Sequence, residues 1–157
     1  MSGGSGIGAF FKVFVYGTLK RGEPNHHWLT KPENGTANFV GEGRTAVKYP
    51  LVIASRYNIP FLLDVPGTGN NIQGEVYEID DKMLSNLDIL EDYPTYYTRR
   101  KESILLDDRE EHCWTYFLNG HKPSMLQLPM MTSYSSAGDH GLVYMESNNE
   151  STIDDVL

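Results

Sequence analysis

The chain is a succession of short β-prone runs separated by explicit turns, and this feature most restricts what it can fold into. Residues 11–16, FKVFVY, are β-branched and aromatic with one lysine at the edge, which is the pattern of a largely buried strand. Similar runs follow in YPLVIA (49–54), PFLLDV (60–65), IQGEVYEI (72–79), YTRRKESILL (97–106) and CWTYFL (113–118). The turns between them are written in glycine, proline, asparagine and aspartate, as in PGTGNN (66–71) and DDR (107–109). Many short strands with few helices predict a small barrel or a strongly curved sheet.

One long helix is predicted over residues 80–92, DDKMLSNLDILED, with Asp80 or Asp81 as its N-cap and Pro94 stopping it. Met83, Leu84, Leu87 and Leu90 fall on one stripe at roughly 100° per residue. Asp81, Asp88 and Asp92 fall away from that stripe, as solvated charges do. Glu91 does not, because it follows Leu87 by four positions and Leu84 by seven. A carboxylate turned toward a core is paired, hydrogen-bonded or protonated, since burying it alone costs several kcal/mol. Three readings follow: Glu91 in the final turn reaches solvent at the end of the stripe, it forms a salt bridge with Arg99 or Arg100, or it is a general acid or base in a cleft.

A length of 157 residues predicts one domain, which we place at 10–147. The lead at 1–9, MSGGSGIGA, reads as flexible, and the acidic tail at 148–157 reads as a polar segment that frays. Thirteen basic against twenty-one acidic side chains give a net charge of −8, which disfavours nucleic acid as a partner. No run approaches the roughly 18–20 apolar residues that cross a bilayer. A single cysteine, Cys113, excludes an intramolecular disulfide framework. Five scattered histidines, two of them adjacent at His26 and His27, predict no metal site. The expectation is a cytoplasmic protein without cofactor, a monomer or weak dimer.

The loop after the first strand, YGTLKRG (16–22), carries the other candidate chemistry. Glycine there lets the backbone turn and present successive N–H groups, which bind negative oxygen. The loop is then a phosphate cradle assisted by Lys20 and Arg21, a holder for the oxyanion of an attacked carbonyl, or a β-turn with two surface cations. The GxxxxGK[ST] spacing of a phosphate-binding loop is absent.

These segments together resemble the gamma-glutamylcyclotransferase-like (AIG2-like) superfamily, in detail its gamma-glutamylamine cyclotransferase branch. The resemblance rests on FVYGTLKRGEPNHHWL (14–29), YPLVIASRYNIPFLL (49–63), GEVYEID (74–80), LDILEDYPTYYTR (87–99) and SYSSAGDHGLVY (133–144). It implies an α+β fold, a small mainly antiparallel β-barrel with flanking α-helices. It implies that Tyr16, Gly17, Thr18 and Leu19 bind the γ-glutamyl part of a small-molecule substrate, and that the catalytic glutamate falls on Glu91. The implied reaction is an intramolecular aminolysis that releases 5-oxoproline and a free amine, with lysine from γ-glutamyl-ε-lysine as the branch's leaving group. A free α-amino acid as leaving group, or a non-catalytic anion-binding protein on the same fold, are the alternatives. Tyr97 closes over the substrate or hydrogen-bonds Glu91, or it is a packed strand tyrosine. His140 reads as structural, and the unmatched segment 107–127 as a lining for the amine's exit.

Overall fold

The computed structural model describes residues 10–146, 153 and 155–157; the lead at 1–9 and most of the tail lie outside them. The described residues include, in order, β1 (Phe10–Val15), α1 (His27–Thr30), β2 (Ala37–Tyr49), β3 (Leu51–Ala54), β4 (Ile59–Leu62), β5 (Asn70–Asp80), α2 (Asp81–Leu90), β6 (Tyr97–Leu106) and β7 (Arg109–Leu118). Strands β1-β5-β2-β6-β7 close into a barrel, and β3 and β4 form a separate two-stranded sheet. The barrel is antiparallel throughout except where it closes, at a parallel contact of Val13 on β1 with Trp114 on β7. This is the α+β barrel with flanking helices that the sequence predicts.

The unbroken apolar run of β1 follows from its burial on both faces. Phe14 joins Val76, Ile104, Cys113 and Phe117 in the cluster that fills the barrel. Val13 and Val15 pack instead with Ile79, Met83 and Leu87 in the cluster between the barrel and α2. Each fully buried aliphatic side chain contributes roughly 1.5–3 kcal/mol before ordering costs. Strand β5 can lie this close to β1 because Gly74 has no side chain: a Cβ there would sit 2.4 Å from the Val15 carbonyl oxygen and 2.7 Å from the Phe14 ring.

Helix α2 is capped as expected, with the Asp80 carboxylate accepting from the Met83 N–H at 2.9 Å. Met83, Leu84 and Leu87 are buried. Asp88 departs from the expectation: it is not a solvated charge but accepts from Arg99 through both oxygens and from the Tyr116 hydroxyl. The helical stripe cannot register partners that arrive from other strands.

The longest strand, β2, has no counterpart in the sequence reading. Its 13 residues, ANFVGEGRTAVKY, mix glycines with charges, and Thr45 and Tyr49 are its buried positions. Its pairing with β5 shifts register after Phe39 and again after Arg44, so no period-2 pattern survives along it. The end of the tail also differs from a fraying segment. Val156 is fully buried, its carbonyl accepts from the Lys122 N–H at 2.8 Å, and Asp155 forms a bidentate pair with Arg56.

Candidate active site

The loop after β1 is tightly braced. The Lys20 N–H donates to the Gly17 carbonyl at 3.2 Å and the Asn25 N–H to the Thr18 carbonyl at 2.8 Å. Asn25 Nδ2 donates to Thr18 Oγ1 at 3.0 Å, and His26 Nδ1 bonds the Leu19 carbonyl at 2.9 Å. Carbonyls and side chains of the loop are therefore engaged. The N–H groups of Gly17, Thr18 and Leu19, by contrast, donate to no other group among the described residues. Gly17 lies close under Pro60 of β4: a Cβ there would meet Pro60 Cγ at 3.1 Å, a tight contact.

The two cations of the loop turn elsewhere. Lys20 Nζ donates to the Tyr134 carbonyl at 2.6 Å. Arg21 bonds the buried Glu75 through its backbone N–H and its Nε, and its guanidinium lies 4.0 Å over the Phe39 ring. A phosphate cradle using Lys20 and Arg21 has no support in this arrangement.

The loop, Pro60 and Phe61 of β4, the C-terminal end of α2 and Tyr116 of β7 enclose a cavity of about 120 Å³. Glu91, the C-cap of α2, lines it together with Tyr96 and Tyr97. The sequence-predicted residues Tyr16, Gly17, Thr18, Leu19, Glu91 and Tyr97 thus meet at one cavity. Of the segment 107–127, Tyr116 lines the cavity. A wider, open trough of about 640 Å³ is bordered by Lys20, Glu42, Arg44, Glu75 and Arg109, and Glu91 does not line it.

Removal from water, and secondarily the Asp88 carboxylate, push the Glu91 carboxyl up to about 7. Neither predicted salt bridge forms: Arg99 pairs with Asp88, and Arg100 with Asp64 and Glu102. Burial followed by the Glu91 charge pushes the Tyr16 and Tyr97 hydroxyls upward, so both stay neutral. The Tyr16 hydroxyl donates to the Tyr116 carbonyl at 2.7 Å and ties β1 to β7. Tyr97 stacks on Phe61, their planes 10° apart, and makes no hydrogen bond with Glu91. Among the described residues no lysine, arginine or histidine lines the cavity, and Glu91 is its carboxyl. Such a site can take up and return one proton beside the loop residues Gly17, Thr18 and Leu19.

Asn25, Asp88, Tyr116 and Tyr144 also shape the site, and residue spacing gave no sign of them. Each acts through a partner far away in the chain, as Asn25 Nδ2 does by donating to the Tyr144 hydroxyl at 3.1 Å. His140 stacks on Tyr134 and bonds the Ser135 carbonyl at 2.7 Å.

Comparison with known proteins agrees with this geometry. Residues 13–136 match the family described as gamma-glutamyl cyclotransferase, AIG2-like. A Drosophila melanogaster protein, provisionally named a gamma-glutamylcyclotransferase, is 60% identical over 124 residues, covering 78% of this chain and 79% of its own. The Homo sapiens gamma-glutamylaminecyclotransferase is 46% identical over 149 residues, covering 87% and 97%. The crystal structure of a Mus musculus AIG2-like protein superposes with a TM-score of 0.86 at 42% identity, over 89% of this chain and 98% of that one. The chain belongs to the gamma-glutamyl cyclotransferase, AIG2-like family.

Proposed function

We propose that this enzyme cleaves γ-glutamyl amides by intramolecular aminolysis, releasing 5-oxoproline and a free amine, with γ-glutamyl-ε-lysine as the preferred substrate type. The observation that carries the reading is a buried carboxyl poised near neutrality in a cavity that Gly17, Thr18 and Leu19 also line, whose N–H groups are unengaged among the described residues. The Glu91 carboxylate takes a proton from the substrate's α-ammonium. Against an α-amino pKa of roughly 8, a base at about 7 makes that transfer uphill by about one unit. An ordinary glutamate at 4.5 faces about three and a half.

The freed amine attacks the γ-carbonyl of the same glutamyl group and closes a five-membered ring. The developing oxyanion is held by the N–H groups of Gly17, Thr18 and Leu19, each worth on the order of 3 kcal/mol in comparable sites. Glu91 then returns its proton to the departing amine nitrogen as the C–N bond breaks. Holding the glutamyl chain folded supplies proximity, so the protein needs no nucleophile of its own. Tyr16 and Tyr97 wall the γ-glutamyl group.

The relatives named as acting on γ-glutamylamines support an amine rather than an α-amino acid as leaving group. The net charge of −8 supports a small-molecule partner and not nucleic acid, and a monomer or weak dimer in the cytoplasm is the working form. The test is 5-oxoproline release from γ-glutamyl-ε-lysine and from γ-glutamyl-α-amino acids assayed side by side. Faster release from the first is expected, and no release from either overturns the reading.

A further inference from the structure

An irregular segment is fastened against the cavity at both sides of one tyrosine. The Met145 N–H donates to the Tyr57 carbonyl at 2.9 Å, and Asn58 Nδ2 donates to the Val143 carbonyl at 2.8 Å. Both anchors belong to the turn between β3 and β4. Val143 and Met145 point outward, 70% and 52% exposed, whereas Tyr144 between them turns in and lines the cavity. Its hydroxyl accepts from Asn25 Nδ2, and the same nitrogen donates to Thr18 Oγ1. A phenol that accepts this bond keeps its own proton to give, and no group among the described residues takes it.

The cavity has need of such a donor. A γ-glutamyl group carries an α-carboxylate, which loses hydration on entering and must be met by hydrogen-bond donors. Lys20, Arg21 and Arg99 are engaged with Tyr134, Glu75 and Asp88, so those donors are neutral. Among the tyrosines of the wall, the Tyr16 and Tyr116 hydroxyls already donate to protein acceptors, and Tyr97, stacked on Phe61, lies in the field of the Glu91 carboxylate, which disfavours a second carboxylate beside it. Tyr144 stands beside Thr18 through their shared Asn25, at the loop assigned above to the γ-glutamyl group.

Resting on that assignment, we propose that Tyr144 is a specificity-determining substrate contact whose hydroxyl donates to the α-carboxylate of the γ-glutamyl group. It selects the glutamyl half and is indifferent to the leaving amine.

The full chain and its Tyr144→Phe variant are compared in turnover of γ-glutamyl-ε-lysine and in inhibition by 5-oxoproline and by pyrrolidin-2-one, the same ring without a carboxylate. Loss of a hydrogen bond to a charged group raises KM about tenfold or more while kcat stays within about threefold. Inhibition by 5-oxoproline weakens by the same factor and inhibition by pyrrolidin-2-one is unchanged. Equal weakening of both inhibitors, or no weakening of 5-oxoproline, overturns the proposal. The wild type gives an independent check, since it must bind 5-oxoproline at least about tenfold tighter than pyrrolidin-2-one. A wild type that releases no 5-oxoproline removes the underlying reading instead, before any variant is compared.

Discussion

The Tyr116 hydroxyl donates to Asp88 Oδ1 at 2.6 Å, one helical turn before Glu91. The other partner of Asp88 is Arg99, at 2.8 and 3.0 Å, whose guanidinium lies 4.6 Å from the Tyr93 ring centroid and 4.4 Å from that of Trp114. The end of α2 that carries Glu91 is thereby fixed to both β6 and β7. The negative charge of Asp88 also favours the protonated form of Glu91. Asp88→Asn removes that charge, so the acidic limb of kcat/KM should move to lower pH while burial keeps it above the ordinary glutamate range. Arg99 loses its ionic partner, and stability should fall by about 1–3 kcal/mol. Rate profiles over pH and thermal unfolding check the two effects separately.

For the wild type, kcat/KM should rise with pH through about 7, because Glu91 must be ionised to accept the ammonium proton. A profile flat between pH 5.5 and 8 contradicts Glu91 as the base.

Glu91→Gln should retain the fold and lower 5-oxoproline release by a factor of about 10² or more. Its stability has a definite sign. Folding raises the Glu91 pKa from 4.5 to about 7, so the native state holds the extra proton between these values and stability declines as pH rises through that window. Glutamine has no charge to bury. The variant should therefore unfold at a higher temperature than the wild type at pH 8, by roughly 1–3 kcal/mol, with the gain vanishing near pH 4. Calorimetry at the two pH values decides it.

Gly74→Ala tests the close approach of β5 to β1. The added methyl meets backbone oxygen of Val15 and the Phe14 ring, neither of which can swing aside, so a loss of about 2–4 kcal/mol is expected in denaturant unfolding. Activity per folded molecule should also drop, because Val15 leads directly into the cavity loop.

Lys20→Ala and Arg21→Ala should both leave turnover within a few-fold of the wild type. Their costs lie in stability and differ. Lys20 gives up a bond to the Tyr134 carbonyl, about 0.5–1.5 kcal/mol, whereas loss of Arg21 leaves the buried Glu75 without its cation, about 1–3 kcal/mol. Loss of turnover in either variant places a cation in the reaction.

What could be read in the sequence divides by the range of the interactions involved. The strand around YTRRKESILL was legible as β6, and the misplacement of Glu91 at the end of α2 followed from helical periodicity, because both are set by near neighbours in the chain. Strand β2 escaped because two register shifts erase its alternation and its glycines admit Leu106 and Ile104 where side chains would stand. Asp88 was misread because its partners lie 11 and 28 residues onward. Tyr144 meets Asn25 across 119 residues, a distance over which no local pattern extends.

The closure of the barrel has a kinetic consequence. The first strand meets the seventh, and the Tyr16 hydroxyl reaches a carbonyl 100 residues away, so the cavity joins segments from nearly opposite ends of the chain. Contacts of such sequence separation form late and slowly. A ribosome-bound chain that has not yet released residue 144 lacks one wall of its own active site, and onset of turnover during synthesis is a direct clock for the final docking event.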